Sequence, residues 1–194
     1  MKQLPILLII FALLSCKQKI GYQKTPIIAH PIFFTENTTY TQNFRELLHD
    51  FYLYKGDKKK NIVLIDESVK FENVGKFLED STSFTPFETN YIIDETDYLS
   101  RIKFKNNLGK NVVIIPKDTL NAFFNHGNDW PGFHKKYGSS FIHLAHPIFL
   151  RENTYCILYL NYGCGGLCGE EQIRLYKKIS NKWIWLKTGH GWIN

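Results

Sequence analysis

The chain has 194 residues, of which 44% are hydrophobic, 22% charged and 15% aromatic. These values exclude a disordered or collagen-like chain and fit one domain. The formal charge of +6 is interspersed with acids and forms no basic stripe, so nucleic acid is not an expected partner.

Met1-Lys2-Gln3 is a short positive segment, and Leu4 to Leu14 is an uncharged apolar run. The run is too short to span a bilayer, which takes roughly 20 apolar residues. It has instead the length of the apolar region of a signal peptide. With Leu13-Leu14-Ser15-Cys16 behind it, the segment resembles a bacterial lipoprotein signal. The resemblance implies a diacylglycerol on the Cys16 thiol and cleavage before Cys16. Residues 1–15 are then the signal peptide, 16–28 a lipidated tether and 29–194 a single domain. The competing reading is an ordinary secretory signal with Cys16 as a bystander. Lys17-Gln18-Lys19 carries no acid, and the family's sorting logic then implies an outer-membrane lipoprotein facing the periplasm.

Ala29-His30-Pro31-Ile32-Phe33 recurs as Ala145-His146-Pro147-Ile148-Phe149. Two short copies are too few for a solenoid. They read as a strand-and-turn piece used twice, or else as a pair of ligand histidines, His30 and His146. Phe44, Leu47, Leu48 and Phe51 recur at helical spacing, which predicts a helix over 42–54. Asn61 to Asp66 is a short buried strand and Val69 to Glu79 a second helix. Tyr91-Ile92-Ile93 and Ile102-Lys103-Phe104 read as strands, as does Val112 to Ile115, which Pro116 stops. Asp118 or Thr119 then caps a helix ending at Phe124. Asp129 caps another, with Pro131 in its first turn and Gly138 at its end.

Four strands are predicted in the last third: Ser140 to Leu150, Thr154 to Tyr162, Gln172 to Ile179 and Lys182 to Thr188. Their short links force antiparallel neighbours, so this is a meander. Ile173, Leu175 and Ile179 share one face, and Gln172, Arg174 and Lys178 the other. Helices and short strands followed by an antiparallel meander define an α+β class.

The most specific motif is Gly163-Cys164-Gly165-Gly166-Leu167-Cys168-Gly169, a glycine-rich link between two strands. In an exported protein the expectation is a Cys164–Cys168 disulfide. Free thiols, a bridge to Cys156 or a metal completed by His190 are the alternatives. Cys156 alternates with Leu158 and Leu160 and is expected to be a buried thiol. His126, Asp129 and His134 put base and acid groups close together beside Trp130. They are the best candidates for a reactive site, against a capped helix junction facing solvent. Asp66-Glu67 is a poor catalytic dyad, because neighbours on a strand point opposite ways. No metal or other cofactor is expected.

Phe133, Lys135, Lys136 and Tyr137, the Pro147-Ile148-Phe149 strand, the cysteine hairpin and Lys182-Trp183 together resemble the C-terminal part of uncharacterised exported bacterial proteins. The resemblance implies a shared fold and supplies no catalytic residue. The expected function is that of a lipid-anchored envelope protein binding a protein, a peptide or an envelope component. A small periplasmic hydrolase using the 126–134 loop and a passive structural or immunity-type lipoprotein are the alternatives.

Overall fold

The computed structural model describes residues 38–54, 61–79, 83–105, 108–109, 111–125, 127 and 129–193. Residues 1–15, Cys16 and His30 lie outside these residues. Among the described residues five helices and seven strands follow in the order α1 (Thr38–Tyr54), β1 (Ile62–Ile65), α2 (Val74–Glu79), α3 (Pro86–Leu99), β2 (Val112–Ile115), α4 (Lys117–Phe124), α5 (Trp130–Tyr137), β3 (Phe141–Leu144), β4 (Ile148–Leu150), β5 (Tyr155–Gly165), β6 (Cys168–Ile179) and β7 (Lys182–Ile193).

All seven strands join one sheet ordered β2-β1-β3-β5-β6-β7, with β4 also paired to β5. β1 runs parallel to β2 and to β3. The pairings of β5 with β3, β4 and β6, and of β6 with β7, are antiparallel. The fold is therefore α+β, and β5-β6-β7 is a meander. The single strand expected over 140–150 is divided in two. Ile148 lies opposite Ile157 and Leu144 opposite Leu160. Ala145, His146 and Pro147 therefore face only two β5 residues, so the chain bulges there.

Two of the expected strands are not strands. Tyr91-Ile92-Ile93 belongs to α3. Thr85 and Glu88 form a reciprocal capping box with Pro86 in the first turn, and Ile92, Glu95, Thr96 and Leu99 form the buried stripe. The helix start signal and a helical period outweigh the β preference of two isoleucines. The 102–104 segment makes only one antiparallel bridge, Lys103 to Glu67. The capping expected from Asp118 or Thr119 is replaced by a tertiary contact. Asp66 Oδ1, at the end of β1, accepts from the Lys117 N–H of α4 at 3.0 Å.

The sheet is covered on both faces. α1 lays Phe44, Leu47, Leu48 and Phe51 over Leu64, Ile142, Leu144, Leu158 and Leu160. On the other face α2 and α3 cover Ile148, Ile157, Ile173 and Leu175. Phe133 of α5 covers Val63, Ile65 and Ile115. Each such side chain contributes roughly 1.5–3 kcal/mol on burial. The polar face of β6 is therefore not a solvent face. Arg174, 1% exposed, lies under α1. Its Nε donates to Gln172 Oε1 at 2.8 Å and its Nη2 to Glu170 Oε1 at 3.0 Å. Its guanidinium also meets the rings of Phe51 and Trp185, at 5.3 and 4.6 Å.

The β4–β5 turn holds Arg151, Glu152 and Asn153 at φ of 51°, 56° and 62°, a left-handed run that disfavours side chains other than Asn. Arg151 offsets that strain through a bidentate contact. Its Nε donates to Glu88 Oε1 at 2.7 Å, and its Nη2 to Glu88 Oε2 at 3.0 Å and to the Ser83 carbonyl at 2.6 Å. The guanidinium holds the Glu88 carboxyl down at about 2 against an ordinary 4.5. A lowered carboxyl contributes stability above its unfolded pKa and loses it as the pH falls towards the folded one. Arg151→Gln should cost no more than about 1 kcal/mol at pH 7, because the pair is partly exposed to solvent. Urea unfolding between pH 5 and pH 2 should show a shallower loss of stability in this variant than in the parent chain.

Candidate functional site

β5 and β6 stay paired up to the cysteine loop, through Gly163 with Gly169 and Gly165 with Cys168. Cys164 and Cys168 form a disulfide with Cα atoms 5.1 Å apart. The bridge to Cys156 does not form: Cys156 is free and wholly buried, and burial pushes its thiol well above the ordinary range. The two bridged sulfurs are also lost as metal ligands. Among the described residues no group of three His, Cys, Asp or Glu is arranged to hold a metal ion. His190 is carried by β7, and its side chain lies outside the described residues.

The loop's base is fixed by close packing. Gly163 pairs with Phe141 of β3, and a Cβ on Gly163 would sit 2.7 Å from Phe141 Cζ. Only glycine admits the ring at that distance. Gly166 and Leu167 form the tip, where Leu167 is 90% exposed. A large apolar side chain is thus held outward by a cross-linked two-stranded stem.

In the 126–134 loop, His126 lies outside the described residues. Asp129 is the cap of α5, its Oδ1 accepting from the Gly132 N–H at 2.8 Å. His134 is exposed on the same helix and packs on the Trp130 ring at 5.4 Å. Of the repeated histidines, His146 is a core residue. Its Nε2 meets the Ile102 carbonyl at 3.2 Å and its Nδ1 the Tyr40 hydroxyl at 3.1 Å. A carbonyl only accepts, so the proton sits on Nε2 and Tyr40 donates to Nδ1. Burial lowers this imidazole to about 4, so it stays neutral, tilted against the Phe104 ring with centroids 4.1 Å apart.

A cluster that the spacing did not suggest sits at the carboxyl ends of β1 and β2. Asp66 Oδ2 pairs with Lys103 Nζ at 2.9 Å, and Glu67 Oε2 with Lys117 Nζ at 3.1 Å. Lys103 also reaches Glu67 Oε1 at 3.7 Å. Although burial pushes the Asp66 carboxyl up, the bonds from Lys103 and the Lys117 backbone bring it below its usual range. His143 of β3 hydrogen-bonds the Glu67 backbone, yet burial first and Lys117 second lower its imidazole. His143 Nε2 is buried with no hydrogen-bond partner among the described residues. Lys103 thus lies between the two acids, and Lys117 meets Glu67 alone through its ammonium. Two carboxylates and two lysines neutralise one another and clasp β1, the 103 segment and α4. The only sequence signal for this site was a pair of acids directly after a buried strand.

No family model matches the chain, and no curated protein and no solved structure matches it.

Removing the bridge tests how much the loop depends on it. A loop this short contributes about 2 kcal/mol by chain entropy. The double variant Cys164→Ser/Cys168→Ser should lower unfolding stability by up to that amount in urea and leave the fold intact by circular dichroism. In native protein, Cys156 should resist a maleimide reagent until denaturant is added.

Proposed function

We propose that this chain is a lipid-anchored protein of the cell envelope that works by binding, with the disulfide-pinned tip of β5–β6 as its contact for a protein or peptide partner. Leu167 carries the reading. Surface leucines are common singly, but this one stands on a stem stiffened by a disulfide and by the Gly163–Phe141 contact. Such stiffening reduces the ordering cost of association. The chemistry of the remaining candidates supports binding over catalysis. Asp129 is engaged as a cap, His146 is a neutral core group, and Cys156 is buried with a raised thiol.

The anchor reading rests on Leu4 to Leu14 followed by Cys16. A disulfide supports it, since such bonds persist in oxidising compartments. Two or three acyl chains would hold the chain far more firmly than the marginal grip of one myristoyl group. The stretch between Cys16 and Thr38 reaches about 70 Å if extended, so an anchored domain would remain close to its membrane.

Labelled palmitate should enter the parent chain, and Cys16→Ser should abolish that label and yield uncleaved precursor. Equal label in both would overturn the anchor. For binding, a photoreactive amino acid at position 167 should give one discrete protein adduct in cells. Leu167→Asp should abolish competition for that adduct without shifting thermal unfolding. A tip that gives no adduct would remove the binding role from this loop.

A further inference from the structure

The opposite end of β6 carries a second surface of different chemistry. From Gln172 to Asn194 the sequence contains no Asp or Glu, and it has five cations: Arg174, Lys177, Lys178, Lys182 and Lys187. The β6–β7 turn is tight, with Ser180 and Asn181 at φ of 49° and 60°. Those signs are the ones that a two-residue turn of primed type requires. On the strands that flank it, Lys177 pairs with Ile184 and Ile179 with Lys182. Residues two apart share a face, so these four side chains form a checkerboard of alternating cations and isoleucines on one face. Tyr155 of β5 extends the row, opposite Lys177. Ile179 is 48% exposed, Ile184 43% and Leu186 48%.

The carboxylates of α1 that reach this end are already engaged on the other face. Glu46 Oε2 holds Lys178 Nζ at 2.6 Å, and Asp50 Oδ2 accepts from the Trp183 N–H at 2.8 Å. The acids of β6, Glu170 and Glu171, lie at the far end of that strand, and Glu170 is engaged by Arg174. The described chain also begins here. Asn43, in the second turn of α1, accepts from Lys178 at 2.8 Å, one residue before Ile179. The first turns of α1 therefore lie at the end of the sheet where the β6–β7 turn is. The Leu167 tip is at the far end of the 12-residue β6, about 36 Å away at the usual strand rise.

We propose that the turn end of the β6–β7 hairpin seats on an anionic phospholipid surface, with Lys177 and Lys182 on the headgroup phosphates and Ile179 and Ile184 reaching beneath them. Lysine, tyrosine and isoleucine side by side suit the boundary between headgroups and acyl chains, where long cationic stems keep their charge in water. Charge complementarity selects anionic lipid, because cations close to such a surface gain from its potential. The placement relies on the anchor reading for its membrane and on these side chains for its chemistry. Seated in this way, the domain would hold Leu167 away from the bilayer.

The test uses the full chain purified from its membrane, with Ser180→Cys carrying an environment-sensitive dye. Cys156 is buried and Cys164–Cys168 bridged, and an acylated Cys16 takes no dye. Dye uptake by the unsubstituted protein would therefore report a failed anchor, independently of docking. Vesicles of phosphatidylglycerol in phosphatidylcholine should shift the dye to the blue, and phosphatidylcholine alone should not. Lys177→Glu/Lys182→Glu should weaken this response at least about tenfold. Ile179→Ser/Ile184→Ser should abolish the shift while sedimentation with vesicles through the acyl chains persists. Thermal unfolding of each variant should stay close to that of the parent. Equal response to neutral vesicles, a response that survives both double variants, or a turn shielded by a protein and silent to lipid would each overturn the proposal.

Discussion

β3 is where two incompatible kinds of sheet are joined, and the rest of the fold follows from that joint. It is parallel to β1 through Leu64 and Ile142 and antiparallel to β5 from Phe141 to Leu144. A parallel neighbour requires a crossover, and a crossover supplies a helix to cover a face. An antiparallel neighbour needs only a turn. The β2-to-β3 crossover therefore brings α4 and α5 over the parallel half, while the meander half depends on α1, α2 and α3 from earlier in the chain. Ile142 and Leu144 pack under α1, and Phe141 packs beside Phe133 of α5. Four residues thus contact both covering layers.

Covering both faces forces a choice on β6, whose sequence alternates apolar and polar residues. The apolar side meets α2 and α3. The polar side is equally buried, so its charges must be satisfied within the protein. Arg174, Gln172, Glu170 and Tyr176 solve this along a single strand, each two residues from the next. A buried ion pair of this kind adds little net stability over apolar packing, but breaking one half of it is expensive. Its effect is specificity. A one-residue slip of β6 would place Arg174 against apolar helices.

Much of this was legible in the sequence wherever a local rule and the tertiary fold agreed. The apolar run at 61–66, the Val112–Ile115 strand with its proline stop, and Asp129 with Pro131 and Gly138 fall where pattern alone puts them, and the three meander strands are placed correctly but run longer, β6 from Cys168 and β7 to Ile193. The α3 helix is not legible at Tyr91-Ile92-Ile93 alone, because two adjacent isoleucines favour a strand and the capping box that decides otherwise begins six residues earlier at Thr85. The cap of α4 could not be read locally, because its acceptor comes from Asp66, 51 residues away in sequence. The disulfide was legible because glycine and cysteine spacing are local. The Asp66, Glu67, Lys103, Lys117 and His143 cluster was not, since its members meet only through the sheet order. The fate of Gln172 and Arg174 depended on whether a helix 120 residues upstream lay over them, which alternation cannot tell.

The free thiol of Cys156 gives the bridged loop a role in the order of events during oxidative folding. Cys156, Cys164 and Cys168 allow three pairings among themselves, and two of these would trap Cys156. Cys164 and Cys168 are four residues apart, so they meet within a short flexible loop before any long-range contact forms. Cys156 is hidden only once β4, β5, β6 and α1 have come together around it. The glycines around the pair thus favour the local partner while the third thiol is still exposed. Once the core closes over Cys156, the correct pairing is sealed without help from the strength of the bond itself.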